Sequence, residues 1–244
     1  LDPEHPYELC EQERICINRL KAAFLASQKL REHVQWIVDR GQMSLVRDEH
    51  LIFHGCVPCD AAGNFLPMPI DGQQLAGREL FEAIDRVVLR ALERRDSGDL
   101  DTLWYLWSGP RSPLFGKDRI ATLERDFIED KHPHHEAWFC EKVLAEFRVD
   151  PKEGLIVNGH VPVKIEKGES PVKRSGKAIT IDGAFSEAYG DHGYTLVLES
   201  DRTLIARHHH FESVEHALRE GVDIVPTVAV IKQYDAPRRL GDTE

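Results

Sequence analysis

The order of patterns along this chain predicts a mixed α/β fold with a mixed or antiparallel sheet. Three observations carry that prediction. Helical periodicity dominates the first half, over residues 11–40 and 78–95. Short runs rich in β-branched residues dominate after Asp150-Pro151. Strands and helices do not alternate strictly, as they would in a doubly wound parallel sheet.

Ile17, Leu20, Phe24, Leu30, Val34 and Ile37 recur at helical spacing, and Gly41 stands just past the end. They predict one long amphipathic helix over residues 11–40. Met43–Val46 and Leu51–Phe53 predict two short strands around the polar stretch Arg47-Asp48-Glu49-His50. Residues 54–76 are rich in Gly, Pro and Asp and predict a loop. Leu80, Phe81, Ile84, Val87, Val88 and Ala91 place one apolar face on a helix over 78–95. Residues 96–117 carry Trp104, Tyr105 and Trp107 before Ser, Gly and Pro, and predict an ordered loop with its aromatics packed in the core. Shorter helices are expected near 118–130 and 136–148. Gly154–Val157, Ala178–Ile181, Tyr194–Leu198 and Leu204–Arg207 predict strands, the last two as a hairpin around Glu199-Ser200-Asp201-Arg202. One more helix is expected at 212–219, and the tail from Asp235 is polar.

Composition excludes several classes. The 244 residues hold 31 Lys+Arg against 42 Asp+Glu, a net charge of −11. That balance argues against a nucleic-acid-binding surface, which needs a basic face. No apolar run approaches the roughly 20 residues that span a bilayer. Leu1-Asp2-Pro3-Glu4-His5 has neither a basic flank nor an apolar stretch, so no secretory leader is expected. Five cysteines, an odd number thinly spread, suit reduced thiols in a cytoplasmic protein. At 41% hydrophobic and 30% charged residues, the chain reads as globular.

Two segments share one layout: Ile52-Phe53-His54-Gly55-Cys56-Val57-Pro58 and Ile156-Val157-Asn158-Gly159-His160-Val161-Pro162. Each puts a histidine where a buried strand ends, beside a glycine that permits a sharp turn. Neutral imidazole is the commonest metal ligand, and strand ends on a rigid sheet hold ligands firmly. On spacing alone two readings stand: the pair meets at one sheet edge to bind a metal, or each ring hydrogen-bonds a neighbouring loop. Other signals are weaker. Cys56-Val57-Pro58-Cys59 is a single C-x-x-C with no second pair, so buried thiols are expected rather than a zinc site. His132-Pro133-His134-His135 and His208-His209-His210 are expected at the surface, since neighbours on a strand face opposite ways.

With Leu106-Trp107-Ser108-Gly109-Pro110, Lys167-Gly168-Glu169-Ser170-Pro171 and Ile181-Asp182-Gly183-Ala184-Phe185-Ser186, these segments occur here in the order they take in one family. The chain resembles the C-terminal part of a class III, Firmicutes-type fructose-1,6-bisphosphatase, from about residue 8 to about 225. The resemblance implies the calcineurin-like metallophosphoesterase fold: a β-sandwich flanked by helices, with residues 1–234 forming the C-terminal part of one catalytic domain and 235–244 a polar tail. It implies hydrolysis of the 1-phosphate of fructose 1,6-bisphosphate at a centre of two divalent metals, typically Mn²⁺, with His54 and His160 as metal ligands. Lys117-Asp118-Arg119 stands where related protein phosphatases place an Asp-Arg pair whose arginine contacts phosphate. Arg119 is thus the first phosphate candidate and Arg111 the next. Lys164 and Lys173 flank the Asn158–His160 strand end and are candidates for the second phosphate, and Tyr189 for the sugar pocket.

The family's Asp-x-His, Gly-Asp-x-x-Asp-Arg-Gly and Gly-Asn-His-Asp/Glu segments have no counterpart here. No catalytic acid is therefore expected among these residues. The expectation is a C-terminal fragment, inactive without its N-terminal part, which is then its first partner; a homo-oligomer is compatible with the reading. Two rivals share the sequence: a metallophosphatase acting on another ester such as a phosphoprotein, and a non-catalytic binding protein on a degenerate phosphatase fold.

Overall fold

A computed structural model describes residues 4–5, 7–60, 62–115, 137–165, 168–182, 193–208, 213–221 and 226–237. The chain divides into two compact units, residues 1–42 and 43–244.

The first unit is helical. The expected single helix is two: α1 (Glu11–Ala26) and α2 (Gln28–Arg40). Ser27 makes the break. Its backbone is extended, its N–H still donates to Phe24 O, and its Oγ accepts from Leu30 N at 3.2 Å. A serine that satisfies a free N–H of the next helix starts that helix. Periodicity misses the event because the apolar rows run on across it. At the start of α1, Glu13 Oε2 accepts from Cys10 N at 2.9 Å. None of the residues in these two helices is buried.

The second unit is built around a four-stranded sheet in the order β1 (Ser44–Arg47), β2 (His50–Phe53), β5 (Leu155–Asn158), β6 (Ala178–Thr180). Strands β1 (Ser44–Arg47) and β2 (His50–Phe53) form an antiparallel hairpin. Its two turn residues, Asp48 and Glu49, have φ of 46° and 62°, the left-handed pair that matches strand twist. The predicted loop 54–76 contains a second hairpin, β3 (Met68–Ile70) and β4 (Gln73–Leu75). Its turn is Asp71-Gly72, again at positive φ; the Asp-Gly signal was present, but Pro69 and the flanking polar residues masked the short strands.

Helix α3 (Gly77–Arg94) buries Leu80, Phe81, Ile84, Val87 and Ala91, the predicted face. Residues 97–108 form a helix, α4 (Ser97–Ser108), and not the predicted loop. Among its residues only Asp99 and Leu106 are buried, so it lacks a strong apolar stripe. Arg90 ties the hairpin to both helices: its guanidinium donates to Asp71 Oδ2 at 2.8 Å and to Asp99 Oδ1 at 2.6 Å. That contact holds both carboxyls below their usual pKa range. Helix α5 (Ala137–Glu146) agrees with the prediction near 136–148; the helix expected at 118–130 lies outside the described residues.

Strands β5 (Leu155–Asn158) and β6 (Ala178–Thr180) run parallel to β2. Both are buried on two faces, which explains why apolar residues follow one another in them without alternation. One face contributes Ile156 and Ala178 to the core formed with Phe81 and Ile84 of α3 and Val143 and Leu144 of α5. Phe81 lies edge-on to Phe53 and Phe147, at 6.1 and 5.2 Å between ring centres. The other face puts Leu155 and Ile179 against Val163, Tyr194 and Ile205. The last two belong to an antiparallel three-stranded sheet of β7 (Gly193–Leu198), β8 (Arg202–His208) and β9 (Thr227–Gln233). The β7–β8 hairpin agrees with prediction; β9 was not predicted. Helix α6 (Val214–Glu220) agrees with the helix expected at 212–219. No helix among the described residues is long and apolar enough to cross a membrane.

A buried polar chain joins the two sheets. His50 Nδ1 faces two carbonyls, Asp48 O at 2.7 Å and Arg47 O at 3.1 Å. It must therefore carry the proton and donate. Nε2 then accepts from Thr203 Oγ1 at 3.2 Å, and Thr203 accepts from the Tyr234 hydroxyl at 2.6 Å. Burial lowers the pKa of His50, which keeps the ring neutral.

Candidate functional site

Parallel strands β2, β5 and β6 end side by side, and in sheets of this kind ligands bind outside the carboxyl ends of the strands. His54 follows β2 directly. His160 follows β5 by two residues. Their ring centres are 5.2 Å apart, with the planes tilted by 56°. Two imidazoles sharing one ion, each nitrogen about 2.1 Å from it, would set their ring centres about 4.5–5.2 Å apart. The pair therefore fits two ligands of one metal. Among the described residues no group of three or more His, Cys, Asp or Glu side chains assembles a larger ligand set.

Asn158 braces the three strand ends. Its Nδ2 donates to Gly55 O at 3.3 Å, and its Oδ1 accepts from Thr180 Oγ1 at 2.8 Å. Its carbonyl accepts from Ile181 N, while Gly159 N donates to His54 O at 2.9 Å. The next residue, His160, has φ of 72°. A non-glycine residue in this region costs about 1–2 kcal/mol, and such strain clusters at functional sites. Asp182 stands two residues past β6, and its carbonyl accepts from Val163 N at 3.0 Å.

The segment after α4 closes the other side. Phe115 lies edge-on to His160 at 5.0 Å, to His54 at 6.1 Å and to Trp107 at 4.7 Å. Cys56 N donates to Pro113 O at 2.9 Å, which docks this segment on the turn after His54. The approach is so close that a Cβ on Gly55 would meet Pro113 O at 2.4 Å and Leu114 O at 2.5 Å. Ser112 is fully buried; its hydroxyl donates to Leu106 O at 2.5 Å and accepts from Leu114 N at 3.1 Å. Asn158, Ser112 and Phe115 were given no individual role in the sequence reading, and Gly55 only that of permitting a sharp turn. Asn158 and Gly55 stood inside the quoted motifs, but bracing across strands is visible only in three dimensions.

The other candidates fall in different places. Arg111 is exposed, and its backbone N–H donates to the Tyr105 hydroxyl at 3.3 Å. Lys164 is half-buried four residues past His160; its N–H donates to Glu169 Oε2 at 2.9 Å. Lys173 lies beside β6, with its N–H donating to Ala178 O at 2.8 Å and its ammonium to Ser170 O at 3.4 Å. Arg119 and Tyr189 lie outside the described residues, as do His132–His135, His209 and His210. His208 pairs through Nε2 with Thr195 Oγ1 at 2.7 Å. Trp104 and Trp107 are 68% and 65% exposed, not core as expected, because α4 turns Leu106 inward and leaves the indoles outside. Cys56 and Cys59 are free thiols, and burial pushes them up to about 12 and about 11. Both are half-buried rather than fully buried as expected, and both stay protonated at neutral pH.

The sequence profile of Firmicute fructose-1,6-bisphosphatases matches residues 1–244, the whole chain. The chain belongs to that family. It is 39% identical over 264 aligned residues to the class 3 fructose-1,6-bisphosphatase of Clostridium botulinum (strain Alaska E43 / Type E3), covering 100% of this chain and 40% of that protein. The class 3 enzymes of Clostridium novyi (strain NT) and Fusobacterium nucleatum subsp. nucleatum are 38% and 37% identical, with 40% and 41% of their lengths covered. The chain thus spans about two fifths of the curated relatives it matches. No solved structure matches it. The mixed α/β architecture agrees with a metallophosphoesterase-like fold.

Proposed function

We propose that this chain is part of a cytosolic fructose-1,6-bisphosphatase that removes the 1-phosphate of fructose 1,6-bisphosphate. In the balanced reaction a water oxygen bonds phosphorus, the phosphorus–oxygen bond to C1 breaks, and fructose 6-phosphate and inorganic phosphate leave. Family membership supports the reaction. The observation that carries the assignment of a site is the His54–His160 pair, 5.2 Å apart at neighbouring strand ends. The five free cysteines agree with a reducing compartment.

A bound pair of divalent ions, Mn²⁺ in this reading, supplies Lewis-acid charge to the phosphoryl oxygens and makes a nucleophile of water at neutral pH. This chain's residues do the rest of what can be assigned. His54 and His160 would hold one ion through ring nitrogens, a donor type suited to such metals. Asn158 fixes the spacing of the two strand ends. Phe115 packs edge-on against both rings and is itself backed by Trp107. We assign phosphate contact to Arg119 and Arg111, contact with the second phosphate to Lys164 and Lys173, and the sugar pocket to Tyr189. Guanidinium offers a charged, bidentate clamp. The remaining metal ligands and the general acid belong to the portion of the relatives that this chain does not span, so the 244 residues alone should not turn over.

The test uses the complete enzyme. His54→Ala and His160→Ala should each cost at least about a hundredfold in Mn²⁺-dependent phosphate release, in line with the loss of a metal-centred transition-state charge. Each should also lower the number of Mn²⁺ ions bound per subunit in equilibrium dialysis. Full turnover and full metal content in both variants would sink the assignment. Turnover lost on this sugar but kept on other phosphate esters would keep the site and discard the substrate.

A further inference from the structure

The inner face of the three-stranded sheet carries two buried donors that find no acceptor among the described residues. Tyr194 and Arg207 are direct partners across β7 and β8. On an antiparallel pair, directly opposed residues lie on one face, with Cβ atoms about 5 Å apart. That face also bears Leu196, Ile205 and Thr203, by the two-residue alternation of each strand. It is the face turned to the four-stranded sheet, since Thr203 bonds His50 and Ile205 packs with Leu155 and Ile179. Tyr194 is 8% exposed, in the same cluster as Val163, three residues past His160.

The Tyr194 hydroxyl and Arg207 Nε are both removed from solvent, and neither has a hydrogen-bond partner among the described residues. Arg207 forms no ion pair among them either, although the chain carries eleven more acidic than basic side chains. Arg207 is half-buried as a residue, but its Nε–H is out of water, and a guanidinium N–H so placed is stable only when something accepts its proton. The hydroxyl does not serve, for no hydrogen bond joins the two groups. Burial also raises the pKa of Tyr194, so the phenol keeps its proton and can donate. A charged N–H and a phenolic O–H on directly opposed residues, both unpaired among the described residues, call for one acceptor with several oxygens and negative charge.

We propose that Tyr194 and Arg207 form a binding site for a phosphate-class oxyanion, separate from the His54–His160 pair. Arg207 supplies the charge and a directed N–H, and Tyr194 fixes the position of one oxygen through its hydroxyl. The anion is either the phosphate group of a sugar phosphate or free phosphate acting from outside the reaction. The recognition chemistry is the same for both. The inference stands whichever sugar phosphate the enzyme hydrolyses.

The experiment titrates inorganic phosphate, against equal chloride, into the complete enzyme carrying His54→Ala and His160→Ala. Those substitutions remove the proposed metal centre as a competing phosphate site, and calorimetry reads the binding. The expected result is saturable binding that Arg207→Met weakens tenfold or more and Tyr194→Phe severalfold, since a hydrogen bond to a charged group is worth about that much. Tyr194→Phe deletes one buried oxygen, so it decides the matter if Arg207→Met does not fold. Absence of saturable phosphate binding, or equal affinity in the parent and both variants, would overturn the site. With binding established, displacement of phosphate by fructose 6-phosphate assigns the site to a sugar phosphate, and no displacement assigns it to free phosphate.

Discussion

Replacing Gly55 by alanine should be far more damaging than replacing Gly159, although both sit beside a site histidine in matching motifs. At Gly55 the added Cβ would lie 2.4 Å from Pro113 O, 2.5 Å from Leu114 O and 2.9 Å from Leu114 C. All three are backbone atoms, so no side chain can swing aside. The 113–115 segment must move off the strand end, straining the Cys56 N to Pro113 O bond and shifting Phe115 against the two imidazoles. At Gly159 the nearest atoms to a Cβ are His54 O at 3.7 Å and Asp182 Cβ at 3.9 Å, ordinary contact distances. Overpacking costs about 1–3 kcal/mol, and an unyielding backbone puts Gly55→Ala at about 3 kcal/mol. Gly159→Ala should stay within about 0.5 kcal/mol of the parent. Urea unfolding of both variants, followed by tryptophan fluorescence, measures the difference. Loss of less than about 1 kcal/mol in Gly55→Ala, or equal losses in the two, would refute the steric argument.

Two further outcomes follow from the polar contacts. His50 has a lowered pKa in the folded state, so the unfolded chain binds its proton more readily. Its contribution to stability is complete above the ordinary value of about 6.5 and falls as the pH drops below it, by at most about 1.4 kcal/mol per pH unit. Unfolding free energies between pH 7.5 and 5 should show that slope in the parent and a shallower one in His50→Gln; the same slope in both would exclude His50 as its source. Asn158→Ala strands Gly55 O and the Thr180 hydroxyl and should cost about 2–3 kcal/mol, while Thr180→Val, which loses one bond, should cost about 1 kcal/mol. Denaturant titration checks both, and a smaller loss for Asn158→Ala than for Thr180→Val would contradict the bracing role.

Much of the secondary structure was legible because its signals are local. The α3 face from Leu80 to Ala91 repeats every three or four residues, and that period has one reading. The buried runs of β5 and β6 and the β7–β8 hairpin were legible for the same reason. The failures have equally local causes. Ser27 breaks a helix with one hydroxyl, a contact that leaves the apolar rows intact. Helix α4 shows few inward apolar residues, and its indoles point to solvent. Strand β9 is exposed along most of its length and exists through pairing with β8.

The candidate site divides along the same line. The residue types beside two strand ends, His54-Gly55 and Gly159-His160, are properties of the sequence, and with the neighbouring motifs they also carried the family. Which strands lie side by side is not written locally. Parallel pairing of β2 with β5 joins segments about a hundred residues apart, and only that pairing brings the two rings to 5.2 Å. Asn158 as a brace, Phe115 packed against the two rings and the unpaired Tyr194 and Arg207 likewise depend on what stands opposite each side chain. Periodicity reports which face of an element is buried; the chain's tertiary packing alone decides what that face meets.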